Sequence, residues 1–179
     1  MNAKSSDANN NNYSQKGEVI IEGDYATLKY ERRLAHPREV VWKSITDPKE
    51  LAIWFNNKAV IDARNGGMID FVTGPAGFHT TGRILVWDPP RVFEHEWRTA
   101  PHPQLPNGEP EAVIHWELAR DGDSNTLLTV TFSRLTKSTA LEFAPGIHAF
   151  LDRLAAQLDH RVLPDWTERY AAVKGSYPS

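Results

Sequence analysis

From residue 25 to about 136 the chain alternates apolar and polar positions in short runs, each broken by glycine- or proline-rich turns. After that its apolar residues fall at three- and four-residue spacing. The first pattern predicts strands and the second predicts helix. Residues 25–35 send Ala26, Leu28, Tyr30, Arg32 and Leu34 to one face of an opening strand. A helix is expected over 37–46, with Val40, Val41 and Ile45 beside Trp42. Asp47-Pro48 stops it and starts a second short helix that closes on Trp54-Phe55, with Asp47 as cap and Glu50 in the capping-box position. Strands follow over 58–63 and 68–73, joined by the Asn65-Gly66-Gly67 turn, and then over 78–87, 92–98, 111–120 and 125–135. Gly82, inside a strand, predicts a bulge, a bend or a close backbone approach. The proline-rich segment 99–110 is expected to be an ordered loop or a flap. Pro145-Gly146 predicts an irregular turn before the main helix over 147–162. That helix carries a stripe of Ile147, Phe150, Leu151, Leu154, Leu158 and Val162, with Asp152, Arg153, Gln157 and Arg161 opposite. Leu163-Pro164 breaks it, and Asp165 can cap a last helix over 166–173.

The order of elements is strand, two short helices, several strands, then helix. It implies an α+β fold in which a curved antiparallel sheet of about seven strands wraps a long carboxy-terminal helix. A helix held in a bent sheet leaves volume near its ends, which predicts a pocket between them. Particular strings carry a family likeness: HPREVVWKSITDPKELAIWF at 36–55, GGMIDF at 66–71, GRILVWDPPRVFEHEW at 82–97, NTLLTVTFSRL at 125–135 and HAFLDRLAAQLDHRVLPDWTERYAAV at 148–173. Over roughly 25–173 the chain resembles the START-like (SRPBCC, helix-grip, Bet v 1-like) superfamily, and within it the activator of heat-shock-protein-90 ATPase homologue-like family. The resemblance implies the helix-grip fold. It implies activity less firmly, because one scaffold hosts carriers, cyclases and chaperone regulators. In the eukaryotic chaperone activators this module follows a separate amino-terminal domain, where this sequence has a short tail, so a chaperone partner is not expected.

Residues 1–17, rich in Asn and Ser, read as a disordered tail, and 18–179 as a single START-like domain. The formal net charge of −3 gives no reason to expect nucleic-acid binding. There are no cysteines, which removes disulfides and thiolate chemistry. No stretch approaches the roughly 18–20 apolar residues of a membrane span, and there is no secretory leader pattern, so a cytoplasmic location is expected.

Six Trp and seven Phe offer rigid apolar walls. The residues expected to line the cavity are Trp42, Trp54, Phe71, Phe93, His95, Trp97, Trp116, Phe132, Phe143, Phe150, Leu151 and Leu154. His95, between Phe93 and Trp97 on an inward face, is the best single candidate for acid–base work, set against the plainer reading of a satisfied core histidine. His115 is expected to be exposed, and His148 to lie at the surface or the pocket mouth. His79, Thr81, Arg83, Leu85 and Trp87 share a face, with Arg83 more safely read as outward. Glu94 and Glu96 belong to a solvated face, and Asp62, Asp70 and Glu142 make no carboxylate pair. No metal-ligand spacing, phosphate loop or nucleophile motif occurs, so neither a metal nor a cofactor is expected. The leading expectation is a protein that holds a small hydrophobic or aromatic molecule. The alternatives are a cyclase, dehydratase or hydrolase using the same cavity, and an interaction module acting on a chaperone ATPase. A homodimer is left open, with the 99–110 loop as interface or lid.

Overall fold

A computed structural model of the chain describes residues 15–179. Most of the expected tail therefore lies outside the described residues. Its last residue, Gly17, is buried, and its N–H donates to Tyr177 Oη at 2.8 Å.

The order of elements is β1 (Glu18–Glu22), β2 (Tyr25–Leu34), α1 (Arg38–Thr46), α2 (Pro48–Trp54), β3 (Asn56–Ile61), β4 (Met68–Thr73), β5 (Phe78–Asp88), β6 (Val92–Glu96), β7 (Arg98–Thr99), β8 (Val113–Arg120), β9 (Thr126–Thr136), α3 (Lys137–Leu158) and α4 (Trp166–Lys174). The strands form one antiparallel sheet in the order β1-β2-β9-β8-β6-β5-β4-β3, with β7 paired to β5. This is the helix-grip fold, with nine strands rather than about seven. The additions are β1, whose largely exposed EVIIE run gives little alternation to read, and the two-residue β7.

The sheet bends at β5. Its first half pairs with β4 and β7, and its second half with β6. Gly82 sits at the changeover, where an added Cβ would lie 2.0 Å from the Glu96 carbonyl oxygen, so the sequence expectation resolves as a close backbone approach. Thr80, Gly82 and Ile84 point inward, while His79, Arg83 and Leu85 are exposed. A register shift between Ile84 and Val86 then moves Trp87 to the inner side, opposite its strand mates. There its ring meets Trp42 at 5.1 Å and Phe93 at 5.2 Å. The bulge changes the parity that strict alternation predicts.

The early helices start as read. Asp47 accepts from the Lys49 N–H at 2.8 Å, and Pro48 occupies the first turn of α2. Glu50 does not close a capping box; its carboxylate accepts from Gln157 Nε2 at 2.6 Å and ties α2 to α3. Arg153 of α3 donates to the Ile53 and Trp54 carbonyls, which satisfies the open end of α2.

The break predicted at Pro145-Gly146 does not occur, and α3 runs through it. A proline inside a helix costs roughly 3 kcal/mol through the lost N–H and steric clash. Two outside donors serve the carbonyls around it: Tyr30 Oη donates to Ala144 O at 2.8 Å, and Trp166 Nε1 to Gly146 O at 3.2 Å. Every residue from Ala144 to Leu151 is buried, so packing offsets the defect. Gly146 lets α4 lie close, since a Cβ there would come to 3.1 Å from the Trp166 ring, a tight contact.

The helix also ends earlier than expected. His160 takes φ 53°, and the His160 and Arg161 N–H groups return to the Gln157 and Ala156 carbonyls. This Schellman-type stop leaves Val162 outside the stripe and 96% exposed. Asp165 caps α4, accepting from the Glu168 N–H at 2.9 Å.

Candidate functional site

A chain of rings crosses the concave face of the sheet. It runs from Trp42, Trp87 and Phe93 through His95 to Trp97, then by Phe55 and Phe150 to Trp166 and Tyr170. At the α1 end the rings pack against one another. At the other end they part around a cavity of about 700 Å³ between the sheet and the first half of α3. Its apolar floor is made by Phe55, Trp97, Ile147 and Phe150. The β4–β5 turn contributes Gly74, Pro75 and Ala76, the loop after β7 contributes Gln104 to Gly108, and α4 contributes Trp166 and Tyr170.

Of the residues expected to line the cavity, Trp97, Phe143 and Phe150 do so. The others are built into the core instead. Trp54, 1% exposed, stacks on Phe55 at 4.9 Å, meets Trp116 edge-on at 6.4 Å, and donates from Nε1 to Ser44 O. Trp42 and Phe93 fill the space under α1, and Phe71 and Phe132 flank Trp97 from neighbouring strands. Leu151 and Leu154 join the same buried cluster. The reason is geometric: α1 and α2 press directly on that half of the sheet, so inward side chains there meet other side chains rather than open space.

His95 also lies outside the cavity. Its ring is 1% exposed among Phe71, Phe93 and Trp97, with Nδ1 2.9 Å from Glu96 O. Burial pushes its pKa down to about 4, with the backbone bond to Glu96 only partly opposing. It is a neutral core imidazole at neutral pH.

His148 is neither superficial nor at the mouth. It is buried, with Nδ1 2.8 Å from Tyr177 Oη and Nε2 3.4 Å from Asp152. Asp152 also gathers two arginines, Arg169 at 2.6 Å and Arg32 at 3.8 Å. Burial works against its charge, but His148, Arg169 and Arg32 together hold the carboxyl below its ordinary range. Arg32 is 2% exposed, and burial pulls its guanidinium down despite Asp152. His115 is half-buried and pairs with Glu94 across β6 and β8 at 2.6 Å.

The polar part of the cavity is made of residues the sequence did not assign to it. Thr80 and Thr99 lie on the sheet wall with their hydroxyls 3.1 Å apart. Thr136 and Thr139 lie where α3 begins, and Glu142 stands at the mouth beside Tyr170. Burial raises the Tyr170 pKa, and the Glu142 charge raises it further. Threonines at strand and helix ends leave no pattern that predicts a lining. Behind them Glu109, 1% exposed, accepts from the Thr136 N–H and hydroxyl at the start of α3. That bond anchors the cavity-covering loop to the positive end of the helix. A second tie joins His102 Nε2 to Ala76 O at 3.0 Å. Glu109→Gln is expected to lower stability by about 1–2 kcal/mol. Amide exchange in residues 100–108 should quicken in the same variant, as hydrogen-exchange mass spectrometry would show; unchanged protection there would refute the anchoring role.

Among the described residues no group of three or more His, Asp or Glu is placed to hold a metal ion. No helix is long and apolar enough among them to cross a membrane.

Residues 35–159 match the sequence profile of the family described as Activator of Hsp90 ATPase homolog 1-like protein. The chain belongs to that family. No curated protein shows significant sequence similarity to it. Solved structures share the fold. CalU16 from Micromonospora echinospora superposes with a TM-score of 0.68 at 22% identity, over 90% of this chain and 92% of that one. EF2215 from Enterococcus faecalis, a conserved protein of unknown function, gives 0.70 at 16% identity, over 92% and 91%. BPP1335 from Bordetella parapertussis gives 0.68 at 23% identity, over 98% and 93%. At such identities the likeness of this family member to them speaks for the fold alone.

Proposed function

We propose that the protein binds a small, mainly apolar or aromatic molecule in the cavity between the sheet and α3. The observation that carries this reading is the cavity of about 700 Å³, floored by Phe55, Trp97, Ile147 and Phe150 and rimmed by a few hydroxyl and amide groups. Such a volume suits a drug-sized ligand, and rigid rings with sparse polar anchors are what these sites use. The rest of the aromatic chain is packed solid, so binding requires no rearrangement of the core. The fold agrees, since the family's scaffold holds a helix against a curved sheet with room at one end.

The test is a titration with N-phenyl-1-naphthylamine, a neutral probe whose emission rises in apolar surroundings. A saturable rise with one site per chain is expected. Ser138 is exposed on the first turn of α3 and borders the cavity, so Ser138→Trp should place a ring across the mouth without disturbing the core. It should weaken probe binding by about tenfold, equivalent to about 1.4 kcal/mol. Absence of a saturable signal, or equal binding by the variant, would refute this location.

A further inference from the structure

We propose that the cavity selects an amphiphile whose polar head donates hydrogen bonds, a protonated amine above all, and disfavours a carboxylate head; this rests on the binding reading above.

The first observation is charge. Among the residues lining the cavity, Glu142 carries the single carboxyl group, and there is no Lys, Arg or His. Lys174 comes near only as far as the Tyr170 ring, 5.6 Å from its centroid, and is not part of the lining. A carboxylate ligand would enter with no cation to receive it, and an unpaired charge in an apolar site is costly. An ammonium would find Glu142 at the mouth.

The second observation is the direction of the hydrogen bonds at the start of α3. The Thr136 hydroxyl contacts both the Glu109 carboxylate and Thr139 Oγ1, the latter at 2.9 Å. It has one hydrogen, and an ionised carboxylate only accepts. With that hydrogen given to Glu109, Thr139 supplies the hydrogen of the second contact. Thr139 Oγ1, buried at the cavity wall, is then left with acceptor lone pairs for a ligand. The relay begins at a buried carboxylate and presents an acceptor to the cavity.

The third observation weakens the feature that would favour an anion. A helix amino terminus attracts negative charge. At α3 the N–H of Thr136, the N-cap residue, is given to Glu109, and that of Lys137 to the Asp24 carbonyl. The Thr80–Thr99 pair on the sheet wall keeps one hydroxyl hydrogen to spare. It can serve a neutral ligand oxygen, which places the alcohol between the amine and the acid.

The experiment displaces N-phenyl-1-naphthylamine from the full chain at pH 7.5 with dodecylamine, dodecanol and dodecanoic acid, each below its critical micelle concentration. The three share a tail and differ in head charge. The expected order is amine, alcohol, acid, with amine over acid by about tenfold. In Glu142→Gln, an exposed substitution, that ratio should contract to about threefold or less, while dodecanol serves as the internal reference. If the acid competes as well as the amine, or the ratio is unchanged in Glu142→Gln, the head selectivity is refuted and the binding reading stands. If the probe does not bind the wild-type chain, both fail.

Discussion

Replacing Asp152 with asparagine is expected to destabilise the protein by roughly 3–5 kcal/mol, because it leaves buried cations without their counter-charge. The side chains concerned are 1% exposed for Arg32, 10% for Asp152 and 29% for Arg169. Among the described residues, Arg32 Nε and Nη2 find no hydrogen-bond acceptor, so the Asp152 charge is what makes their burial tolerable. The cluster also fastens distant parts of the chain. Asp152 and His148 lie on α3, Arg169 on α4 and Arg32 on β2, while Tyr177 bonds both His148 and the Gly17 N–H. Arg32→Met should be far milder, since an apolar side chain of similar length suits a slot between Tyr30 and Leu34. Urea unfolding of both variants at pH 7, read at constant m-value, decides the matter. A loss under about 1 kcal/mol for Asp152→Asn would mean that solvent already screens the cluster.

The second large effect is on pH dependence. His95 holds a proton only near pH 4 in the fold, against about 6.5 in the unfolded chain. Between these values the unfolded chain binds more protons than the native one, so stability falls as pH drops through that window and is intact above it. The span corresponds to roughly 3 kcal/mol lost between pH 6.5 and 4. Carboxylates also titrate on acidification, so the diagnostic quantity is the difference between wild type and His95→Leu. That difference should shift in favour of the variant by most of this amount from pH 7 to pH 4. A constant difference across the range would contradict a neutral buried imidazole.

The two effects also show what could be read in the sequence. Alternation placed Arg32 on the apolar face of its strand, and helical spacing placed Asp152 opposite the apolar stripe of α3. An inward arginine calls for an acidic partner, and α3 supplies one; that signal was present, but periodicity alone did not join the two. The element order, the Asp47 and Asp165 caps, the Asn65-Gly66 turn and the inward set Phe93, His95 and Trp97 were all legible because each is local. Pro145 misled because the contacts that hold the helix there, among them the Tyr30 and Trp166 donors to the Ala144 and Gly146 carbonyls, come from more than 100 positions before it and about 20 after. Val162 fits the helical stripe, but His160 turns the chain before it is reached. The cavity's place was the least legible feature. Which inward aromatic rings meet other rings and which meet empty space depends on where α1 and α2 press, and that is a tertiary matter. Only Trp97, Phe143 and Phe150 of the expected set stand at the gap.

A crystal structure with 2-bromonaphthalene tests most directly the claim that the hollow beside α3 is a ligand site. Anomalous bromine density is predicted between Phe55, Phe150 and Trp166, with the surrounding rings unmoved. Bromine bound only elsewhere, or that space filled by the protein's own side chains, would contradict it.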